Sequence, residues 1–514
     1  MGRTELYNGA LLTPPLSDEH LPATDAPSSA RADAVYLERK MGDTELSYFL
    51  PSRQSGVNDM YLHLGFNAPE HLVSRARVRA AWALLRLRHP LLAAAAQMHD
   101  YDDVRFVYRV PVDADDVLQS ADANLEYRTQ AKDELIDAYL NGPRTLSNDR
   151  LSYLVVSRPE VDALLTPPRT PSPSGEGQLR LALDDVAGLP HSQFDLLICA
   201  MHFIGDGMAL HTFANDFFGL LGSSKTDAEL DEMLRTEWSE RWQNKDNDSS
   251  ILPAAMEDNI PIKWSKLHAA AASIDFQMSQ QKLVGGQAFP RRKHAERRTV
   301  VPTLSFPEDR TKAMLTRCKA HGVSISAALF AVCNAAWARL AVDGGHELPT
   351  LMYSALNLRP YFTVRRPAPW DSYWFLSIGY FNVILPTFVP ADRARAEATF
   401  WHRARQAKEQ SARAARHPLL PVLPARATAP SAALLGLSLL GNLDGMYKHA
   451  AFPAVRLHTL TTGSRQRHGA MLLFGYTFVG KLWVSLGYDE NGFAEGVVDR
   501  FWTEALKVID EFLG

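Results

Sequence analysis

The residues of this chain whose types and spacing could do chemistry together are His202, Asp206 and Gly207, in the run His202-Phe203-Ile204-Gly205-Asp206-Gly207. An imidazole with an unperturbed pKa of ~6.5 is largely neutral at pH 7 and can take a proton from a hydroxyl or amine as that group attacks a carbonyl. The HxxxD spacing alone selects nothing, because it recurs at His99…Asp103 and His191…Asp195. His99 lies in a polar stretch expected to form an exposed turn, and His191 lies in a Pro-Ser-Gln loop expected to be solvated, so neither is expected to act. His202 instead closes the apolar run Phe194 to His202, and the glycines behind it allow a sharp reversal into a helix. Two jobs are open to Asp206: orienting the imidazole, or turning away to bind an arginine that holds the loop. Gly207 favours the second, since the carboxylate should follow the turn away from the crevice. From spacing alone, a core histidine satisfied by its neighbours accounts for His202 as well as a base does.

The elements that must position this motif follow from periodicity. Phe194 to His202 reads as a strand buried on both faces, followed by a turn and a helix from about Met208 to Leu221. Upstream, Leu37 to Leu50 and Gly56 to Phe66 alternate polar and apolar residues. Val78, Trp82 and Leu85 recur at helical spacing among arginines until His89-Pro90, and strands are expected at Asp102 to Val112 and Leu151 to Arg158. Downstream come a strand near Val300 to Phe306, a helix after Pro307 through Cys318, and a buried helix at Ser324 to Val342. Strands follow at Thr350 to Leu358 and Ile378 to Leu385, then a charged Ala-rich helix at Ala391 to Arg416. A hairpin of Met471 to Phe478 and Lys481 to Tyr488 turns at Val479-Gly480, and a helix at Gly496 to Leu513 closes the chain. The expected class is α/β (α+β) in two lobes. The expected division is a flexible tail at 1–34, a first lobe at 35–241 holding the motif, a crossover at 242–298 and a second lobe at 299–514. Within the first lobe, 164–178 carries four prolines that forbid regular structure and reads as a disordered insertion.

Composition removes several classes of function. The 514 residues carry 54 Lys+Arg against 58 Asp+Glu, a formal charge of -4, which leaves no global basic field for nucleic acid or an anionic membrane. Three scattered cysteines, Cys199, Cys318 and Cys333, make no disulfide framework or zinc site and suit a reducing compartment. No basic n-region precedes an apolar stretch, and Ser324 to Val342, the longest apolar window, holds Asn334 and Arg339 and reads as a globular core helix. A cytoplasmic protein without a membrane span is expected. The chain shows no GxSxG elbow, Walker loop, GxGxxG after a strand, HExxH or CxxC. A histidine base without a protein nucleophile suits direct transfer, the substrate's own hydroxyl attacking an activated acyl donor.

On these residues the sequence resembles a family. Cys199 to Gly207 is similar to the active-site motif of the CoA-dependent acyltransferase superfamily, which includes chloramphenicol acetyltransferase, plant BAHD acyltransferases and condensation domains of peptide synthetases. Arg88-His89-Pro90-Leu91-Leu92, Gly322 to Leu329, Asn357-Leu358-Arg359-Pro360, the Gly480 hairpin and Tyr488-Asp489 fall in that family's order. Leu46 to Ser52, Gly56 to Asp59 and Leu440 to Gly445 resemble fungal secondary-metabolite enzymes of the trichothecene 15-O-acetyltransferase type, and the plant DFGWG signature is absent. The resemblance covers roughly 36–514.

The resemblance implies two chloramphenicol-acetyltransferase-like lobes, mixed sheets flanked by helices, with His202 at their interface. It implies that acyl-CoA, such as acetyl-CoA, enters from one face as co-substrate and a small acceptor alcohol from the other. Asp206 is then structural, with Arg359 as its partner and Gly207 supporting the turn. Asn442, Thr461, Thr462 and Ser464 lie in second-lobe segments expected to face His202, and Asn442 is the oxyanion candidate, set against a loop residue bonding its own backbone. The basic run Arg291 to Arg298 could meet CoA phosphates or form a solvated crossover. The expected function is an O-acyltransferase acting on a fungal metabolite, monomeric, with no permanently bound cofactor, no metal and no nucleic acid. Two alternatives stand beside it: a free-standing condensation-type enzyme using a carrier-bound donor, and an inactive ligand-binding homologue.

Overall fold

The computed structural model describes residues 34–159, 191–243, 251–259, 287–293, 296–340, 348–362, 369–416 and 433–514, with 270 and 274. The expected tail up to residue 33, the insertion at 164–178 and most of the crossover at 242–298 lie outside the described residues. In chain order the first half forms β1 (Tyr36–Lys40), α1 (Asp43–Ser55), β2 (Met60–Pro69), α2 (Arg75–Arg88), β3 (Ala95–Met98), β4 (Val104–Arg109), α3 (Ala114–Asp122) and β5 (Leu125–Arg128). Then come α4 (Lys132–Asn141), β6 (Ser152–Ser157), β7 (His191–Ala200), α5 (Gly207–Leu221) and α6 (Asp227–Trp238). The second half forms β8 (Thr299–Val300), β9 (Thr303–Phe306), α7 (Glu308–Ala320), α8 (Ile325–Leu340), β10 (Thr350–Asn357), β11 (Ile378–Leu385) and α9 (Arg393–Ala415). It ends with β12 (Leu435–Asn442), β13 (Arg456–Ser464), β14 (Met471–Phe478), β15 (Lys481–Asp489) and α10 (Val497–Phe512).

Two mixed sheets dominate. One has the order β13-β2-β7-β6-β5, the other β11-β10-β12-β14-β15-β8 with β9 also paired to β15. The apolar run predicted to be a doubly buried strand is β7, whose Leu196 to Ala200 are buried. It pairs antiparallel with β2 on one edge and β6 on the other, and since successive side chains alternate faces, the unbroken burial from Leu196 to Ala200 covers both faces. Strand β13 belongs to the second half of the chain yet hydrogen-bonds antiparallel to β2. This corrects the expectation that Thr461, Thr462 and Ser464 sit in the second lobe: they extend the first-half sheet, because β2 offers them a free edge.

The second sheet supplies alternate residues to two cores, as its period of two requires. Leu473, Leu482, Val484 and Leu486 join the core formed with α8, α9 and α10. Phe474, Tyr476, Phe478 and Trp483 point the other way and join the core of the first-half sheet with α2 and α5. Helix α8 buries Ala327 to Ala338, the packing expected of a core helix. Among the described residues no single helix is long and apolar enough to cross a membrane.

One local reading changes in the structure and another holds. The alternating stretch Leu37 to Leu50 is a strand only to Lys40, and a helix starts at Asp43. There Glu45 accepts the Gly42 N–H at 2.8 Å, a capping contact that overrides the weak alternation. At the 479–480 turn the expected hairpin forms with Val479 at φ 46 and Gly480 at φ 70, as a tight two-residue turn demands.

Candidate active site

His202 opens a single 3-10 turn, His202 to Ile204, between β7 and α5. Its Nδ1 lies 3.0 Å from the Gly205 carbonyl oxygen. A carbonyl can only accept, so this contact places the proton on Nδ1 and leaves the Nε2 lone pair free to act as a base. Among the described residues His202 hydrogen-bonds to no serine, threonine or cysteine. Burial pulls its pKa below the ordinary histidine value, partly offset by backbone contacts and by the negative charge of Asp206. The imidazole is therefore neutral and able to accept a proton at pH 7.

Asp206 is the N-cap of α5: its Oδ1 accepts the Met208 and Ala209 N–H groups, each at 3.1 Å. Arg359 Nη1 donates to Oδ1 at 2.9 Å and Oδ2 at 2.8 Å, and the Ser377 N–H donates to Oδ2 at 2.9 Å. Arg359 Nη2 donates to the carbonyls of Tyr373 and Phe375 at 3.1 and 2.7 Å. Of the two jobs open to Asp206, this geometry is the arginine-binding one, and the imidazole takes its orientation from Gly205 instead. The ion pair joins the start of α5 to the segments flanking β10 and β11, so it fixes the motif against the second half of the chain.

The glycines serve a different purpose from the one expected. Neither Gly205 nor Gly207 has a positive φ. A Cβ on Gly205 would stand 3.2 Å from Nε1 of Trp374, a fully buried ring, so close approach is what restricts that position. A Cβ on Gly207 would meet only Leu440 Cδ2 at 3.4 Å, an ordinary contact. The turn therefore does not depend on Gly207.

Asn442 is exposed at the end of β12, and its Oδ1 accepts the Asp444 N–H at 3.1 Å and the Thr477 hydroxyl at 3.2 Å. Its Oδ1 closes the turn it belongs to, the arrangement of a loop residue, while Nδ2, the atom that would donate to an oxyanion, is not engaged by these contacts. The register orders the other candidates. Ala200 pairs with Met60, which pairs with Ser464, so Ser464 stands level with the end of β7 from which His202 emerges. Thr462 donates to the Tyr61 carbonyl at 2.9 Å, and Thr461 lies opposite His63, deeper along the strand.

The remaining predicted residues are placed elsewhere. His99 is exposed in the β3–β4 turn, where its N–H meets the Asp103 carbonyl at 2.9 Å. His191 begins β7, but Asp195 is buried and takes His63 Nε2 at 2.7 Å, a core contact that the solvated-loop reading missed. In the basic run, Arg292 donates to the Asn491 carbonyl at 3.0 Å, Arg297 to the carbonyls of Gln466 and Ser55 at 3.3 Å, and Arg298 pairs with Glu490 at 3.1 Å. These cations tie the crossover to its neighbours. The sequence analysis also missed Tyr48, whose ring centroid is 4.4 Å from that of His202. Its only sequence signal was membership of the Leu46 to Ser52 segment. Among the described residues no group of three or more His, Cys, Asp or Glu could hold a metal ion.

No protein-family model and no curated protein sequence matches the chain. Solved structures do match. A trichothecene 15-O-acetyltransferase from Fusarium sporotrichioides superposes with TM-score 0.72 at 12% identity, over 93% of this chain and 96% of that one. The condensation domain of the Monacolin K polyketide synthase gives 0.58 at 9% identity, over 94% and 98%. The epimerization domain from the third module of tyrocidine synthetase B gives 0.55 at 14%, over 93% and 98%. With identities this low the likeness speaks of fold, and the chain has the two-lobed fold of the CoA-dependent acyltransferases and condensation domains, with His202 where β7 runs into α5.

Proposed function

We propose that the protein is an acyltransferase that moves an acyl group, acetyl in the simplest case, from acyl-CoA to a hydroxyl of a small secondary metabolite. The observation that carries this reading is the contact of His202 Nδ1 with the Gly205 carbonyl, which leaves Nε2 unbonded among the described residues. Nε2 takes the proton of the acceptor hydroxyl as its oxygen attacks the thioester carbonyl. The tetrahedral intermediate then collapses, the C–S bond breaks, and the thiolate leaves with the proton that Nε2 returns. Asp206 and Arg359 hold the turn and touch neither reactant, and acyl-CoA is a co-substrate used up in each cycle. The likeness to a trichothecene acetyltransferase supports this chemistry.

A second reading rests on the likeness to condensation domains: the same base with a carrier-bound acyl donor. Release of free CoA thiol from acetyl-CoA in the presence of a panel of hydroxylated terpenoids and polyketides separates the two. Turnover that His202→Ala removes supports the first. Acetyl-CoA left intact across the panel, with turnover of an acyl-phosphopantetheinyl carrier protein, would replace it with the second.

A further inference from the structure

Tyr48 stands on α1 with its ring against the imidazole of His202, centroids 4.4 Å apart and planes tilted by 38°. The helix beneath it is held at both ends. At the start, Glu45 is buried and takes Arg39 Nη1 and Nη2 at 2.8 Å each, while the Thr44 N–H donates to Glu257 at 2.8 Å. At the end, Gly56 in the left-handed region donates its N–H to the Ser52 carbonyl at 2.9 Å. The residue after Tyr48, Phe49, is fully buried and packs edge-to-face on Phe203, the residue after His202. Helix α1 and the 3-10 turn are thus joined by two successive aromatic contacts, and the first of them is on the proposed base.

The imidazole has two holds. The Gly205 carbonyl fixes its edge through Nδ1, and Tyr48 covers one of its faces. Asp206 supplies neither, since its carboxylate is taken up by Arg359, Ser377 and the α5 N-terminus. One hydrogen bond leaves a ring free to rock about that contact, whereas a second ring packed on its face removes this freedom. The Tyr48 phenol makes no hydrogen bond to His202, so the contact is one of ring on ring.

We propose that Tyr48 is a positioning residue for the acyl-transfer step, acting through its ring: it holds His202 so that Nε2 meets the acceptor hydroxyl, and it shields one face of the imidazole from water. The proposal rests on the reading of His202 as the base. Its test therefore includes a measurement that needs no substrate, the pH dependence of His202 carbethoxylation by diethyl pyrocarbonate, followed by mass on the His202 peptide. Only the neutral imidazole reacts, so the profile reports the pKa of His202 directly.

In the full chain, Tyr48→Ala should raise that pKa toward the unperturbed ~6.5, because burial is what holds it down. It should also lower kcat about ten- to a hundredfold, the cost of a base displaced by a fraction of an ångström to an ångström. Tyr48→Phe should keep both at the wild-type value, since the ring remains. Tyr48→Val, a smaller truncation, gives the same test should the alanine variant fail to fold. A truncation that leaves the carbethoxylation profile and kcat unchanged overturns the proposal. Loss in Tyr48→Phe equal to that in Tyr48→Ala also overturns it, by moving the role to the hydroxyl. If no form turns over acetyl-CoA, the donor reading fails by itself, while the carbethoxylation profiles still decide the role of Tyr48.

Discussion

Arg359 reaches across 153 positions of sequence to place Nη1 2.9 and 2.8 Å from the two carboxylate oxygens of Asp206. The carboxylate also caps α5 and accepts the Ser377 N–H, so one side chain joins the motif to the second half of the chain. Asp206→Asn should therefore destabilise the fold by about 3–5 kcal/mol, the usual cost of leaving a buried charge without its partner. Chemical denaturation gives the value. A steep loss of activity at unchanged stability would instead point to direct support of the imidazole.

His202→Ala should remove acyl transfer, a fall of about 10²–10⁴, while near-ultraviolet dichroism and melting stay close to wild type. His99→Ala is the control, since that ring is exposed in a turn between β3 and β4. Comparable losses in both variants would mean that the choice among the HxxxD sites is wrong.

Gly205→Ala and Gly207→Ala should behave differently although they flank the same aspartate. The first puts a methyl 3.2 Å from the fully buried Trp374 ring, and an overpacking cost of about 1–3 kcal/mol follows, with movement of the carbonyl that holds His202. The second meets only Leu440 at contact distance and should be tolerated in both stability and kcat. Melting curves of the pair decide whether close approach or turn geometry governs this segment.

The pH profile has a defined sign. Burial lowers the His202 pKa, so kcat/KM should be flat above pH ~6.5 and fall on the acid side with an apparent pKa below that value. Stability should fall in the same direction for a separate reason. Burial lowers His89 and His211 to about 3 in the folded state. The unfolded chain, with histidines near ~6.5, then binds more protons between these limits. Stability present above pH ~6.5 is lost as pH drops toward 3, by up to ~1.4 kcal/mol per pH unit for each such group. His211→Gln, which removes the ring bonded to Tyr447, should make denaturation midpoints less steep in this range; an unchanged slope would count against it.

Asn442→Ala should cost little in kcat, because the residue is exposed at the end of β12, in a turn that its Oδ1 helps to close. Removal of a true oxyanion donor costs about 10²–10³. A loss of that size in steady-state kinetics would return Asn442 to the site.

The sequence by itself determined what local physics determines. Continuous apolar character made β7 a buried strand, the turn after it opened the helix α5, and Val479-Gly480 made a tight hairpin. Periodicity, capping and turn chemistry act within a few residues, and so they are written where they act. Tertiary structure alone decided the rest. The choice of β2 as the partner of β13, the closure of Asp206 on Arg359 and the packing of Tyr48 on His202 all join segments far apart in the chain. The same local signals also misled: alternation at Leu37 to Leu50 concealed α1, and the glycines beside Asp206 suggested a reversal that needs their conformational freedom, where Gly205 only makes room for Trp374. A strand's free edge, a carboxylate's spare lone pairs and the face of a ring are satisfied by whatever packing brings to them, and no spacing within the motif records which residue that will be.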